Sequence, residues 1–320
     1  MKALLHYRAT PGFVAAVASH APEWLDVAIV PEDDADALAR LLPETEVLLH
    51  VLEPVTAQLI AAAPRLALIQ KIGVGVNTID LDAARAQGVG VANMPGTNAP
   101  AVAELALALM LATLRRVVTL DATTRAGRWW DVDASVIDSM GELGGRTVGL
   151  VGFGATARRL APVLVALGAE VRYTATAPHA DADGLAEWRT MPDLLAECDV
   201  VSLHVPLTAD TERLIDADAL ASMRPGAVLI NTARGGLVDE AALVDALRDG
   251  RVRAAGLDVF AVEPIDAENP LLALDNVVVG PHRAWLTPET LERSLGVAFE
   301  NCRRVRDGEP LLHEVVARRR

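Results

Sequence analysis

At 320 residues and 52% apolar content, the chain is long enough for two domains that each bury a core, and too apolar for wholesale disorder. A formal charge of −14 excludes the concentrated positive face that nucleic acid requires, and it offers an anionic ligand no general attraction. Cys198 and Cys302 form neither a disulfide framework nor a metal-ligand spacing, and no apolar run reaches the roughly twenty residues of a membrane span. Cys198, beside Asp199-Val-Val-Ser-Leu, reads as a small buried thiol. The opening Met1-Lys-Ala-Leu-Leu-His-Tyr-Arg has too short an apolar run for a secretory segment, so the expected compartment is the cytoplasm.

Strand–helix alternation runs along the chain. Residues 2–6 read as a strand and 11–19 as a helix; strands at 27–30 and 47–51 flank a helix at 34–41. A helix at 56–62 and an extended segment at 68–72 follow. The turn-rich stretch Asn93-Met-Pro-Gly-Thr-Asn-Ala-Pro breaks the pattern and marks a domain boundary. Behind it, residues 101–116 form a helix apolar on nearly every face, expected to be buried between domains or subunits. A second unit opens at Arg146-Thr-Val-Gly-Leu-Val. Its further strands are predicted at 171–174, 200–204, 228–231, 256–258 and 277–279, and its helices at 155–167, 193–196, 216–222 and 240–249. A last helix, 288–305, is expected to return to the first domain. Such alternation implies α/β architecture, parallel sheets with helices on both faces.

Gly152-Phe-Gly-Ala-Thr-Ala follows the strand pattern Val148-Gly-Leu-Val and opens the helix at 155, the setting in which a glycine turn binds a dinucleotide. Gly152 makes the tight turn and Gly154 lets the backbone approach a pyrophosphate. The amides of Ala155 and Thr156 lie at the positive end of the helix. An acidic residue should end the next strand and accept the ribose hydroxyls, but Ala175 and Thr176 stand there. Thr176 is left as the cofactor-side residue, and Glu170 reads as a solvated turn residue ahead of the strand. Without a carboxylate the extra phosphate of NADP is not repelled; without an arginine in the loop 176–179 it is not rewarded. The balance favours NAD, with weak discrimination against NADP. Pro162, inside the same helix, should bend it.

Three stretches in the last third each end a strand and supply one polar residue: Asn231-Thr-Ala-Arg-Gly-Gly, Leu257-Asp-Val-Phe-Ala-Val-Glu-Pro and Pro281-His-Arg-Ala. Arg234 has the planar fork that holds a carboxylate and polarises a carbonyl beside it. His282 suits proton transfer near neutral pH, and Glu263 would fix its tautomer and help it hold a proton. Taken singly, each has an ordinary alternative: His282 a loop cap, Glu263 a turn acid, Arg234 a partner for Asp239. Jointly, after a dinucleotide turn, they point to reversible reduction of a 2-keto acid. Asp258, at another strand end, would bond the nicotinamide amide or serve in core pairing.

These motifs resemble the D-isomer-specific 2-hydroxyacid dehydrogenases, which include phosphoglycerate dehydrogenases and glyoxylate/hydroxypyruvate reductases. The likeness runs from about residue 66 to 305. It adds Lys71-Ile-Gly-Val-Gly-Val-Asn, Ala101-Val-Ala-Glu-Leu, Arg125-Ala-Gly-Arg-Trp and His204-Val-Pro-Leu-Thr to the stretches above. The resemblance implies a Rossmann dinucleotide-binding domain, 98–287, inserted into a smaller flavodoxin-like substrate domain, 1–97 and 288–320. It implies that Arg234 binds the substrate carboxylate, that His282 is the general acid/base and that Glu263 is its partner. Amides of Val74 and Gly75, with Asn98, would contact the substrate. Thr232, Ala233 and Asp258 would face the nicotinamide, and Val205 and Pro206 the adenosine side. A homodimer joined through the cofactor domains and a hinge closure that excludes water are implied as well.

Departures are Lys71 and Asn77, where many members carry arginine and aspartate, and the absent ribose acid. Arg283, next to His282, either favours a second anionic group on the substrate or faces solvent. Trp129 and Trp130 are read as core residues rather than as arms reaching a partner subunit. The expected ligands are a small 2-keto or 2-hydroxy acid and NAD or NADP, with no nucleic acid, metal or membrane. The alternative is a dinucleotide-sensing corepressor-like protein of the same fold, for which the sequence supplies no basic surface. Formate dehydrogenase, whose histidine pairs with glutamine, is disfavoured by Glu263.

Overall fold

The computed structural model describes residues 1–182 and 184–319, and the chain divides into two compact units: Met1–Asn98 with Trp285–Arg320, and Ala99–Ala284. The first unit alternates β1 (Lys2–His6), α1 (Pro11–His20), β2 (Asp26–Val30), α2 (Ala35–Leu41), β3 (Val47–His50), α3 (Ala57–Ala61), β4 (Leu68–Lys71), α4 (Leu81–Gln87) and β5 (Gly90–Ala92). Its helices begin where a side chain takes over an orphaned amide: Thr10, Asp34, Thr56 and Asp80 each accept from the amide three residues on. β3 and β4 are buried along their whole length, as strands covered on both faces must be.

The second unit continues with α5 (Ala99–Leu114), α6 (Val117–Arg125), α7 (Ala134–Asp138), β6 (Thr147–Val151), α8 (Ala155–Ala166), β7 (Glu170–Thr174), β8 (Glu187–Trp188), α9 (Met191–Glu197), β9 (Val200–Leu203), α10 (Ala217–Ser222), β10 (Ala227–Asn231), α11 (Glu240–Arg248), β11 (Val252–Leu257) and β12 (Val277–Val279). The chain then re-enters the first unit as α12 (Pro288–Asp307) and β13 (Glu314–Val316). Leu291, Leu295, Ala298, Phe299, Cys302 and Val305 form the buried stripe of α12, which packs on α1 and β4.

Among the described residues the first unit holds a sheet in the order β2-β1-β3-β4-β5-β13, and the second a sheet in the order β8-β7-β6-β9-β10-β11-β12. The first five strands repeat the 2-1-3-4-5 winding of flavodoxin-like sheets; the second order contains the 3-2-1-4-5-6 winding of a dinucleotide-binding sheet. Among the described residues all strand pairings are parallel except β13 against β5, an edge strand that the sequence did not announce. α4, β5, α6 and α7 were also unannounced.

Several expectations need correction. α5 packs on β10, β11 and α8, and in the single chain Glu104, Ala108 and Leu111 leave one stripe of it exposed. Trp129 and Trp130 are 65% and 90% exposed and are not core residues. Glu170 is the first residue of β7, although exposed. β11 starts at Val252, four residues before the predicted strand, because Arg251 and Arg253 obscure the apolar pattern; Asp258 lies just past its end. Pro162 sits on the exposed face of α8, where the missing amide bond faces water, and the helix runs through it. No helix among the described residues is long and apolar enough to cross a membrane.

Candidate active site

The second unit's parallel register aligns its strand ends in one row. Thr174 pairs with Val151, Val151 with Leu203, Leu203 with Asn231, Asn231 with Leu257, and Leu257 with Val279. Every candidate of this unit lies just beyond that row, at the carboxyl edge where ligands of such sheets bind. Gly152 and Gly154 follow β6, Thr176 follows β7, and Val205 and Pro206 follow β9. Thr232, Ala233 and Arg234 follow β10, Asp258 and Glu263 follow β11, and His282 follows β12.

At β6 the chain turns at Gly152 with φ 96°, a region L side chains avoid. A Cβ there would meet the His204 carbonyl oxygen and Val205 at 2.8 Å, so the turn lies directly against the end of β9. Gly154 caps α8 without a side chain, which leaves the first amides of the helix, including those of Ala155 and Thr156, for an anion. Beneath it, Nε2 of His204 lies 3.0 Å from the Ser202 hydroxyl, and burial draws the imidazole down to about 4, so it is neutral. These features fit a dinucleotide. Just past β10, the buried hydroxyl of Thr232 has no hydrogen-bond partner among the described residues, as a group awaiting a ligand would.

Asn231, buried at the last position of β10, shapes the loop that carries Arg234. Its side-chain amide donates to the Arg234 carbonyl at 2.8 Å and its oxygen accepts the Ala233 amide at 3.0 Å. Asn231 was not singled out from the sequence, although asparagine inside a buried strand is the signal that could have found it. Burial draws the Arg234 guanidinium below its ordinary value and Glu263 draws it back; it stays a cation. The next residue, Gly235, has no room for a side chain, because a Cβ would come within 1.8 Å of the Phe260 carbonyl carbon. The Arg234 loop therefore rests on the loop leading to Glu263.

Glu263 accepts from the Phe260 amide at 2.9 Å through Oε1, and its Oε2 lies 2.6 Å from Nδ1 of His282. Burial alone would raise this carboxyl; the bond and charge of His282, the Phe260 amide and the charge of Arg234 together hold it below the ordinary carboxylate range. A carboxylate on Nδ1 sets the tautomer and leaves Nε2 to exchange a proton with a ligand. His282 has φ 55°, and its amide donates to the Asp258 carbonyl at 2.8 Å. The Asp258 carboxylate accepts the amides of Arg283 and Ala284 at 3.1 and 2.8 Å. Burial raises Asp258, and those amides and His282 oppose the shift. Asp258 thus organises the histidine loop, a task the sequence reading did not give it. Arg283 is exposed, and Asp239 pairs with Arg213 and caps α11.

The first unit's candidates lie on loops of their own. Val74 and Gly75 follow β4; Asn93 Nδ2 donates to the Val74 carbonyl at 2.9 Å, and the Met94 amide to the Gly73 carbonyl at 2.9 Å. Asn98 is half-buried in the turn that ends the segment. Among the described residues no group of three potential metal-ligating side chains occurs.

A family model for the NAD-binding domain of D-isomer-specific 2-hydroxyacid dehydrogenases matches residues 107–284. The D-3-phosphoglycerate dehydrogenase of Mycobacterium leprae (strain TN) is 42% identical over 288 residues, 89% of this chain and 54% of that protein. The chain thus spans about half the length of that relative. The glyoxylate reductase of Aeropyrum pernix is 39% identical over 273 residues, 84% of this chain and 79% of that protein. In the crystal structure of the TT0316 protein from Thermus thermophilus, 36% identical, the TM-score is 0.87 over 99% of this chain and 100% of that one. With a dinucleotide turn and a carboxylate–histidine pair on one sheet edge, the chain belongs to the D-isomer-specific 2-hydroxyacid dehydrogenase family.

Proposed function

We propose that the protein interconverts a small 2-keto acid and its D-2-hydroxy acid, with NAD(H) or NADP(H) as the redox partner. What supports this most directly is the 2.6 Å contact between Glu263 and Nδ1 of His282, on the same sheet edge as an uncapped glycine turn. A dihydronicotinamide held by the glycine turn at Gly152 and Gly154 and by the loop at Thr232 and Ala233 would supply the hydride needed at C2 of the keto acid. Arg234 holds the substrate carboxylate with its fork and stabilises the charge growing on the carbonyl oxygen. His282 gives that oxygen a proton from Nε2, and Glu263 keeps the ring oriented by holding Nδ1. In the oxidative direction the same nitrogen takes the hydroxyl proton.

For the nucleotide, the amides at Gly154, Ala155 and Thr156 are assigned to the pyrophosphate, Thr176 to the ribose, and Val205 and Pro206 to the adenosine side. Thr232, Ala233 and Asp258 are assigned to the nicotinamide. In the first unit the candidate substrate contacts are the Val74 and Gly75 amides and Asn98. Glyoxylate, hydroxypyruvate and phosphohydroxypyruvate are the leading substrates. The working assembly is a homodimer that covers Leu111, Val117, Val118 and the exposed tryptophans of the second unit.

The test is to follow NADH and NADPH absorbance with each of these keto acids. His282→Ala is expected to lower kcat by about 10²–10⁴-fold while cofactor affinity stays near normal. Wild-type turnover in His282→Ala would show that the proton comes from elsewhere.

A further inference from the structure

The first residues after β7 hold no acid to accept ribose hydroxyls: from Thr174 to Ala180 the sequence reads Thr-Ala-Thr-Ala-Pro-His-Ala. It does have an arginine, delivered from the neighbouring helix. Arg158, on the first turn of α8, donates from Nε to the Phe153 carbonyl at 2.9 Å and lies 5.3 Å over the Phe153 ring. Its Nη2 reaches Nδ1 of His179 at 3.2 Å. His179 is itself anchored, since its amide donates to the Tyr173 hydroxyl at 2.6 Å. The rings of Phe153, Tyr173 and His179 pack together with centroids 4.3 to 6.0 Å apart. Because Arg158 donates to Nδ1, the neutral imidazole carries its hydrogen on Nε2 and is a donor on its other side. Thr176, on the same loop, exposes a hydroxyl.

In a dinucleotide-binding sheet this loop meets the adenosine ribose, where a carboxylate selects NAD and a nearby arginine accommodates the 2′-phosphate of NADP. We propose that Arg158 and His179 form a 2′-phosphate subsite, so that the protein takes NADP(H) in preference to NAD(H). The inference rests on the nucleotide-binding role argued above and names the nucleotide. A guanidinium fork suits a phosphate dianion, whereas a ribose hydroxyl finds no carboxylate acceptor in residues 174–180.

The experiment is calorimetric titration of the intact protein with NADPH, NADH, 2′,5′-ADP and 5′-AMP, without a keto acid. NADPH and 2′,5′-ADP are expected to bind about 10- to 100-fold more tightly than their unphosphorylated counterparts, as a charge-assisted contact provides. Salt should narrow the gap. Arg158→Gln should bring the NADH-to-NADPH ratio of Kd values to about one, while Arg158→Lys and His179→Gln retain part of it; thermal melts establish that each variant is folded. NADH binding as tightly as NADPH in the wild type overturns the proposal, and so does a ratio that Arg158→Gln leaves intact. An NADH preference would direct attention to Asp181 and Asp183, the next acids in the sequence. If neither dinucleotide binds, the hydride-transfer reading falls with it.

Discussion

Glu263→Gln isolates the contribution of the carboxylate without changing the size of the side chain. The carboxylate accepts two hydrogen bonds, from the Phe260 amide through Oε1 and from Nδ1 of His282 through Oε2. A glutamine has one oxygen. If that oxygen keeps the Phe260 amide, its NH₂ group faces His282 and favours the tautomer with hydrogen on Nε2 and a bare Nδ1. If it serves His282 instead, the Phe260 amide faces another donor. Either way one charge-assisted bond is lost, about 1.5–3 kcal/mol. Expressed wholly in the transition state, that is about 10- to 150-fold in kcat. The assay is steady-state kinetics with a keto acid that the wild-type protein is found to reduce, alongside cofactor Kd. The expected pattern is lower kcat with unchanged cofactor affinity. A kcat within about threefold of wild type across the working pH range would refute the claim that the carboxylate tunes the histidine.

Two further outcomes are expected. His50, 3% exposed, is drawn down to about 3, chiefly by burial and then by the charge of Lys71, with the Glu53 carbonyl opposing. The folded chain keeps this ring neutral while the unfolded chain protonates it near 6.5, so stability is present above about pH 6.5 and drains as pH falls. The loss is about 2 kcal/mol by about pH 5. Urea midpoints for wild type and His50→Gln at both pH values should diverge accordingly, and parallel pH dependence would refute this. Placing a charge and removing a bulky ring at exposed apolar residues, Val118→Asp with Trp130→Ala, should convert a dimer to single chains by sedimentation; a wild type that is already monomeric at micromolar concentration would remove the dimer.

Much of the second unit was legible because its signals are local. The glycine turn, the apolar strands and the three strand-end stretches each announce themselves within a few residues, and parallel register then brings their ends into one row. Arg234, Glu263 and His282 were singled out that way, and the fold brings Glu263 against His282. What was not legible depends on contacts remote in sequence. Arg158 reaches His179 across 21 positions, so inspection of the loop alone saw no arginine. Asp258 meets Arg283 and Ala284 only because β11 and β12 are neighbours. β5 and β13, each three residues long, are too short for a periodic pattern, and β13 exists only through its pairing with β5. Trp129 and Trp130 misled because bulk suggests burial, yet the segment between α6 and α7 offers them little to pack against in a single chain.

The missing side chain at Gly235 has a consequence for how this chemistry can vary. Its backbone lies so close to Phe260 and Ala261 that no side chain fits between the loop carrying Arg234 and the loop leading to Glu263. Any side chain at position 235 is therefore expected to push the two loops apart and to disturb Arg234 and Glu263 together.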